Sequence, residues 1–183
     1  MTRGWRDGWL ERARRVDSPN FGARPAGCAV SLVVLHSISL PPGEYGGDAI
    51  ERFFTNRLDP AAHPYFQEIH ALRVSSHYLV RRDGEVVQFV DPAFRAWHAG
   101  VSFWRGRSRC NDFSIGIELE GTDADAFSAA QYAALAALVR ALQRRFPLRD
   151  VAAHSDVAPG RKTDPGAGFD WARFSRALAV SQH

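Results

Sequence analysis

Residues 30–36 read VSLVVLH, a nearly continuous apolar run that ends in a histidine. Gly27 and Pro41–Pro42 bound it. It is too short for an ordinary helix and predicts a fully buried strand, with His36 at its carboxyl end. A second stretch, FSIGIELE at 113–120, alternates instead. Side chains leave a strand on opposite faces in turn, so Ile115, Ile117 and Leu119 share one face and Gly116, Glu118 and Glu120 the other. Two carboxylates therefore stand on one side of a strand.

Working outward, His77–Arg82 and Glu85–Val90 flank Asp83–Gly84, the signal of a tight hairpin. Val151–Ala153 predicts a last short strand that ends at His154. Ser128 with Gln131 makes a capping box, and Tyr132, Leu135, Leu138, Val139 and Leu142 recur at helical spacing behind it. Asp48 can cap a short helix carrying Ile50, Phe53 and Phe54. Asp170 can cap a terminal one carrying Trp171, Phe174 and Leu178. Residues 56–70 read as an irregular surface stretch. This mixed order predicts an α/β fold, a single mixed β-sheet with helices packed on it. No linker, repeat or low-complexity tract divides residues 1–183, so one domain is expected.

Composition removes whole classes of function. With 45% hydrophobic and 23% charged residues, the 183-residue chain is neither disordered, collagen-like nor a coiled coil. A net charge of +3 is too small to argue for nucleic acid, and no basic residues interleave with aromatics as a stacking platform requires. No apolar run approaches the ~20 residues that span a bilayer, and the first twenty residues contain no apolar core of a signal peptide. Cys28 and Cys110 fit neither a disulfide framework nor a metal spacing. A soluble cytoplasmic protein is the expectation. One oddity stands out: all basic residues are arginine except Lys162.

Seven histidines occur, at 36, 63, 70, 77, 98, 154 and 183, without an HExxH pattern. His36 and His154 each close a predicted strand, and Asp164 lies in a turn-rich loop shortly after His154. Two imidazoles and a carboxylate held this way leave a fourth tetrahedral position open, as in catalytic zinc sites. The bland reading is an imidazole hydrogen-bonded at a strand edge, and His77 and His98 compete as ligands on spacing alone. Glu118 either faces solvent or faces a polar cleft, where it could exchange a proton; Glu120 could be the solvated one. Lys162 is a surface lysine or a compact charge beside an oxyanion. Arg73, Arg105, Arg107 and Arg109 could grip carboxylates or could simply be solvated. Trp97 and Trp104 could stack on a sugar or fill a core.

Six segments, in order, carry a family resemblance: LHSISLPPGEYGG (35–47), LDPAAHPYF (58–66), RVSSHYLVRRDGEVVQFV (73–90), RAWHAGVS (95–102), RCNDFSIGIELEGTD (109–123) and HSDVAPGRKTDPG (154–166). They resemble the cytoplasmic anhydro-N-acetylmuramyl-L-alanine amidases of peptidoglycan recycling. These belong to the zinc amidase family that shares its fold with phage amidase-lysozymes and peptidoglycan recognition proteins. The resemblance implies one zinc ion held by His36, His154 and Asp164, with Glu118 as acid/base and Lys162 as transition-state stabiliser. Arg73, Trp97 and Arg109 match positions associated with the anhydromuropeptide, and His77 and His98 become supporting residues. Ser37 stands where the family commonly has Asn, a hydroxyl in place of an amide, which bears on substrate recognition. The implied partner is an anhydromuropeptide bound by a monomer, with no nucleic acid and no membrane. A non-catalytic muropeptide-binding module is the alternative, although such relatives typically lack a metal ligand. An amidase acting outside the cytoplasm would want an export signal and a wall-anchoring module.

Overall fold

A computed structural model describes residues 4–180; His183 lies outside the described residues. Six strands form the main sheet: β1 (Arg14–Arg15), β2 (Leu32–Ile38), β3 (Tyr78–Val80), β4 (Val86–Gln88), β5 (Ser114–Glu120) and β6 (Asp150–Ala153). Their order is β6-β2-β5-β3-β4-β1. β2 lies parallel to both β5 and β6, β5 is parallel to β3, β4 is parallel to β1, and β3–β4 is the antiparallel hairpin. Among the described residues, three two-stranded ribbons lie outside this sheet.

The expected alternation is present, and it divides the core in two. Val33 and Leu35 of β2, Ile115, Ile117 and Leu119 of β5, and Tyr78 and Val80 of β3 pack on one face. The helix α3 (Ala129–Gln143) covers them with Tyr132, Leu135, Leu138, Val139 and Leu142, all buried, the stripe its sequence predicts. Each such leucine or isoleucine taken fully from water contributes about 1.5–3 kcal/mol. Ser128 and Gln131 form the capping box at the start of α3. Gln131 does more: its side-chain amide donates to Glu120 O (2.9 Å) and Val80 O (3.3 Å), pinning the helix to β5 and β3. Helix α5 (Trp171–Ala179) is capped by Asp170, buries Phe174 and leaves Trp171 at the surface.

On the other face, Leu79 and Val87 pack against α1 (Ala49–Phe54) and α2 (Pro64–Ile69) through Ile50, Phe53, Phe54 and Phe66. The stretch 56–70 is thus not wholly irregular. Pro64 occupies the first helical position and His63 Nδ1 accepts from Tyr65 N, so the start of α2 is set by two favourable local choices. A six-residue helix is too short for periodicity to show it. Asp48 does precede α1, but its carboxylate accepts from Arg52 Nε (2.7 Å) instead of capping the backbone. The hairpin is looser than a two-residue turn, since Val80 pairs with Val86.

Two further expectations are corrected. His36 does not follow β2 but lies within it, because parallel pairing with β5 continues to Ile38 opposite Glu120. Nor is Glu120 solvated: it is 2% exposed and receives Arg81 Nη1 (3.0 Å), Gly46 N (2.7 Å) and Arg82 N (3.1 Å). Alternation assigns a face, and here a buried arginine from the hairpin covers that part of it. Cys28 and Cys110 are both free thiols. Among the described residues no helix is long and apolar enough to cross a membrane.

Candidate metal centre and its cavity

Parallel register puts His36 opposite Glu118, and Ala153 opposite Leu35. The chain leaves β6 at Ala153 and turns at once into α4 (His154–Val157). His154 and His36 therefore stand side by side at the carboxyl ends of adjacent strands, where open α/β sheets place their ligands. The loop after α4 brings Asp164 back, tied by Ser155 N to Asp164 O (3.1 Å).

The result is a tight triangle of donors. His36 Nδ1 lies 2.9 Å from His154 Nδ1 and 3.2 Å from Asp164 Oδ2, and His154 Nδ1 lies 3.0 Å from Asp164 Oδ2. Tetrahedral zinc with nitrogen and oxygen ligands at 2.0–2.2 Å has edges of about 3.3–3.6 Å, so the donors stand within a few tenths of an ångström of that shape. Two imidazole nitrogens and one carboxylate oxygen also suit zinc chemically. The three residues form a group that could hold a metal ion.

Their surroundings prepare them for it. Burial pushes the His36 imidazole down to about 4 against the pull of Asp164. Burial would raise Asp164, but the His154 and His36 imidazoles beside it outweigh that and hold the carboxyl below the usual carboxylate range. A neutral imidazole and an ionised carboxylate are what a divalent ion requires. With Nδ1 turned to the triangle, His36 Nε2 lies 2.9 Å from His98 Nδ1, and His154 Nε2 lies 3.2 Å from Ala99 O. Such outer partners fix ring orientation. His98 in turn rests on Gly116: a Cβ there would stand 2.5 Å from His98 Cγ. His77 accepts Gly116 N at Nδ1 (3.0 Å) and faces Phe94 O. Neither His77 nor His98 belongs to the triangle.

An open cavity of about 630 Å3 lies over this triangle, lined by His36, Ser37, Trp97, Glu118, His154, Lys162 and Asp164 among others. Leu40, Phe53, Tyr65 and Leu72 make an apolar flank. Glu118 is 7% exposed, and its carboxyl is pushed well above its ordinary range by burial first and by Asp164 second, with Lys162 opposing. Lys162 is exposed at the rim. Arg73 and Arg109 are not in the lining. Arg73 caps the carbonyls of His70, Ala71 and Leu72, and Arg109 pairs with Asp112 (3.2 Å). Trp104 packs beside Phe113 and Val157, with its indole N–H on Asp150.

Sequence reading missed Asp123, which lines the cavity and accepts from Ser37 Oγ (2.9 Å) and Thr163 Oγ1. The only available signal was its place in the GTD run just after β5.

Comparison with known proteins identifies the relatives of this chain. The amidase AmpD of Citrobacter freundii, named a 1,6-anhydro-N-acetylmuramyl-L-alanine amidase, is 57% identical over 179 residues, covering 97% of this chain and 96% of its own. A crystal structure of a selenomethionine AmpD derivative superposes with a TM-score of 0.91 at 57% identity, over 94% of this chain and 98% of that one. The Escherichia coli amidase AmiD, solved in complex with anhydro-N-acetylmuramic acid-L-Ala-D-gamma-Glu-L-Lys, gives 0.59 at 31% identity, over 84% of this chain and 60% of that one. A sequence model of the N-acetylmuramoyl-L-alanine amidase family matches residues 26–167. With most of its length matched and its nearly full-length likeness to AmpD, the chain belongs to the N-acetylmuramoyl-L-alanine amidase family.

Proposed function

We propose that the protein hydrolyses the amide between the lactyl group of anhydro-N-acetylmuramic acid and L-alanine of the stem peptide, with one zinc ion held by His36, His154 and Asp164. The observation that carries the reading is the donor triangle, with edges of 2.9–3.2 Å, on the floor of a cavity that also holds Glu118 and Lys162. The AmpD and AmiD likenesses supply the substrate class.

Zinc, when bound, supplies a Lewis acid that polarises the scissile carbonyl and makes water acidic enough to attack at neutral pH. The chain's own groups do the rest. Glu118, whose burial raises its affinity for a proton, takes one in its ionised form from the attacking water and returns it to the leaving amine. Burial matters here, because it makes Glu118 a stronger base than a solvated carboxylate. Lys162 places a compact positive charge at the rim, where negative charge grows on the carbonyl oxygen. Trp97 offers a flat apolar face to the sugar, and Ser37 a hydroxyl already oriented by Asp123. Arg73 and Arg109 take part only with ligand parts that reach beyond the cavity lining. Residues 1–183 act as one cytoplasmic domain and a monomer in this reading.

Mass spectrometry of purified anhydromuropeptide after incubation tests it. Release of free stem peptide that a zinc chelator abolishes is the expected result. No cleavage by zinc-loaded protein would overturn it in favour of a binding module.

A further inference from the structure

Asp123 stands where three walls of the cavity meet. Its Oδ1 accepts Ser37 Oγ (2.9 Å), and Ser37 follows His36 in the chain. Its Oδ2 accepts Thr163 Oγ1, and Thr163 separates Lys162 from Asp164. One carboxylate thus ties the end of β2 to the loop that carries two of the proposed site residues. Charged acceptors make bonds roughly twice as strong as neutral ones.

The backbone repeats the tie. Gly168 N donates to Asp123 O (2.9 Å). At Gly166, which has φ +77°, a Cβ would stand 2.3 Å from Asp123 Cα. At Gly168 it would stand 2.2 Å from Asp125 O. The two loops are in contact too close for any side chain on the second, which explains both glycines. Tyr45 OH also donates to Asp125, so the loop that lines the cavity with Pro42 and Gly43 leans on the same segment.

We propose that Asp123 is a positioning residue, which sets Lys162 and Asp164 relative to His36 and Glu118. This rests on the roles given to Asp164 and Lys162 above. The loop is otherwise held by Ser155 N on Asp164 O, by Arg161 N and Lys162 N on Ala158 O (each 3.1 Å), and by Arg161 Nη2 on Ala99 O (2.6 Å) and Val101 O (2.7 Å), ties that leave Thr163 itself to Asp123. Without the carboxylate, Thr163 and Ser37 lose their common acceptor and the third donor of the triangle loses its lateral brace.

The test compares full-length Asp123→Ala and Asp123→Asn with the unaltered protein and Asp164→Ala. Zinc affinity by chelator competition, steady-state kinetics on anhydromuropeptide and thermal unfolding are measured for each. Asp123→Ala is expected to weaken zinc binding by about 10-fold, the low end of what direct outer partners of metal ligands do, because Asp123 bonds the chain neighbours of the ligands. Its kcat falls while KM stays within about twofold. Asp123→Asn keeps one acceptor oxygen and recovers most of both. Unchanged zinc affinity and kcat in Asp123→Ala overturns the proposal. So does a rise in KM alone, which would make Asp123 a direct substrate contact, or a fall in Tm with zinc affinity intact. Should Asp123→Ala fail to fold, Thr163→Val removes one of the two bonds and must itself weaken zinc binding. Full zinc affinity in Asp164→Ala would instead overturn the ligand assignment, a result separable from all of these.

Discussion

The two faces of β2 and β5 are built from alternate residues of the same strands, yet they do opposite things. Toward α3, Leu35, Ile117 and Leu119 are sealed against Leu135, Leu138 and Leu142. Toward the cavity, the neighbouring positions are His36 and Glu118, polar groups nearly as buried but kept beside open space. The contrast teaches that stability and chemistry are separated by one residue, not by distance. The apolar face offsets what the polar face costs, since burying a carboxyl with an ionisable neighbour is unfavourable in itself.

The sharpest way to break this division is Glu118→Gln. On the proposed role, kcat falls by about 10²–10⁴-fold with zinc retained, as measured by stem-peptide release and metal analysis. The same change should raise the Tm of the metal-free protein at neutral pH. The sign follows from the raised pKa: the folded state prefers the protonated carboxyl, so stability is full below the unfolded value near 4.3 and declines as pH rises through the folded one. A neutral amide removes that decline. A variant equally stable at all pH values and equally active would show that Glu118 belongs to neither face's account.

Lys162→Ala should lower kcat by about 10²–10³-fold, the usual effect of losing one group that stabilises an oxyanion, and should leave Tm unchanged because the side chain is exposed. Leu135→Ala inverts the pattern: about 2–5 kcal/mol of stability lost in denaturant titrations, with kcat of the folded fraction intact. Smallest is Ser128→Ala, which removes a capping box from α3 and should cost about 1 kcal/mol with no kinetic effect. Kinetic damage from either of the last two changes would mean that the faces are coupled.

The apolar face was readable in the chain because its rules are local. Spacing showed the β5 alternation and the α3 stripe, and Ser128 with Gln131 marked where α3 begins. The polar face was readable only in part. His36, Glu118 and His154 share a cavity because of parallel register, and Asp164 joins them through a returning loop, neither of which a local pattern states. Glu120 looked equivalent to Glu118 until Arg81, brought from the hairpin, covered it. Asp123 escaped because its partners lie 86 and 40 residues away. The short helix α2 escaped for the opposite reason, being too brief for its periodicity to register.

The claim on which everything else rests is that His36, His154 and Asp164 bind one zinc ion. Elemental analysis of the purified protein beside Asp164→Ala tests it most directly. One zinc per chain is expected in the former, and its loss, together with that of amidase activity, in the latter. A full equivalent of zinc retained by Asp164→Ala would contradict it.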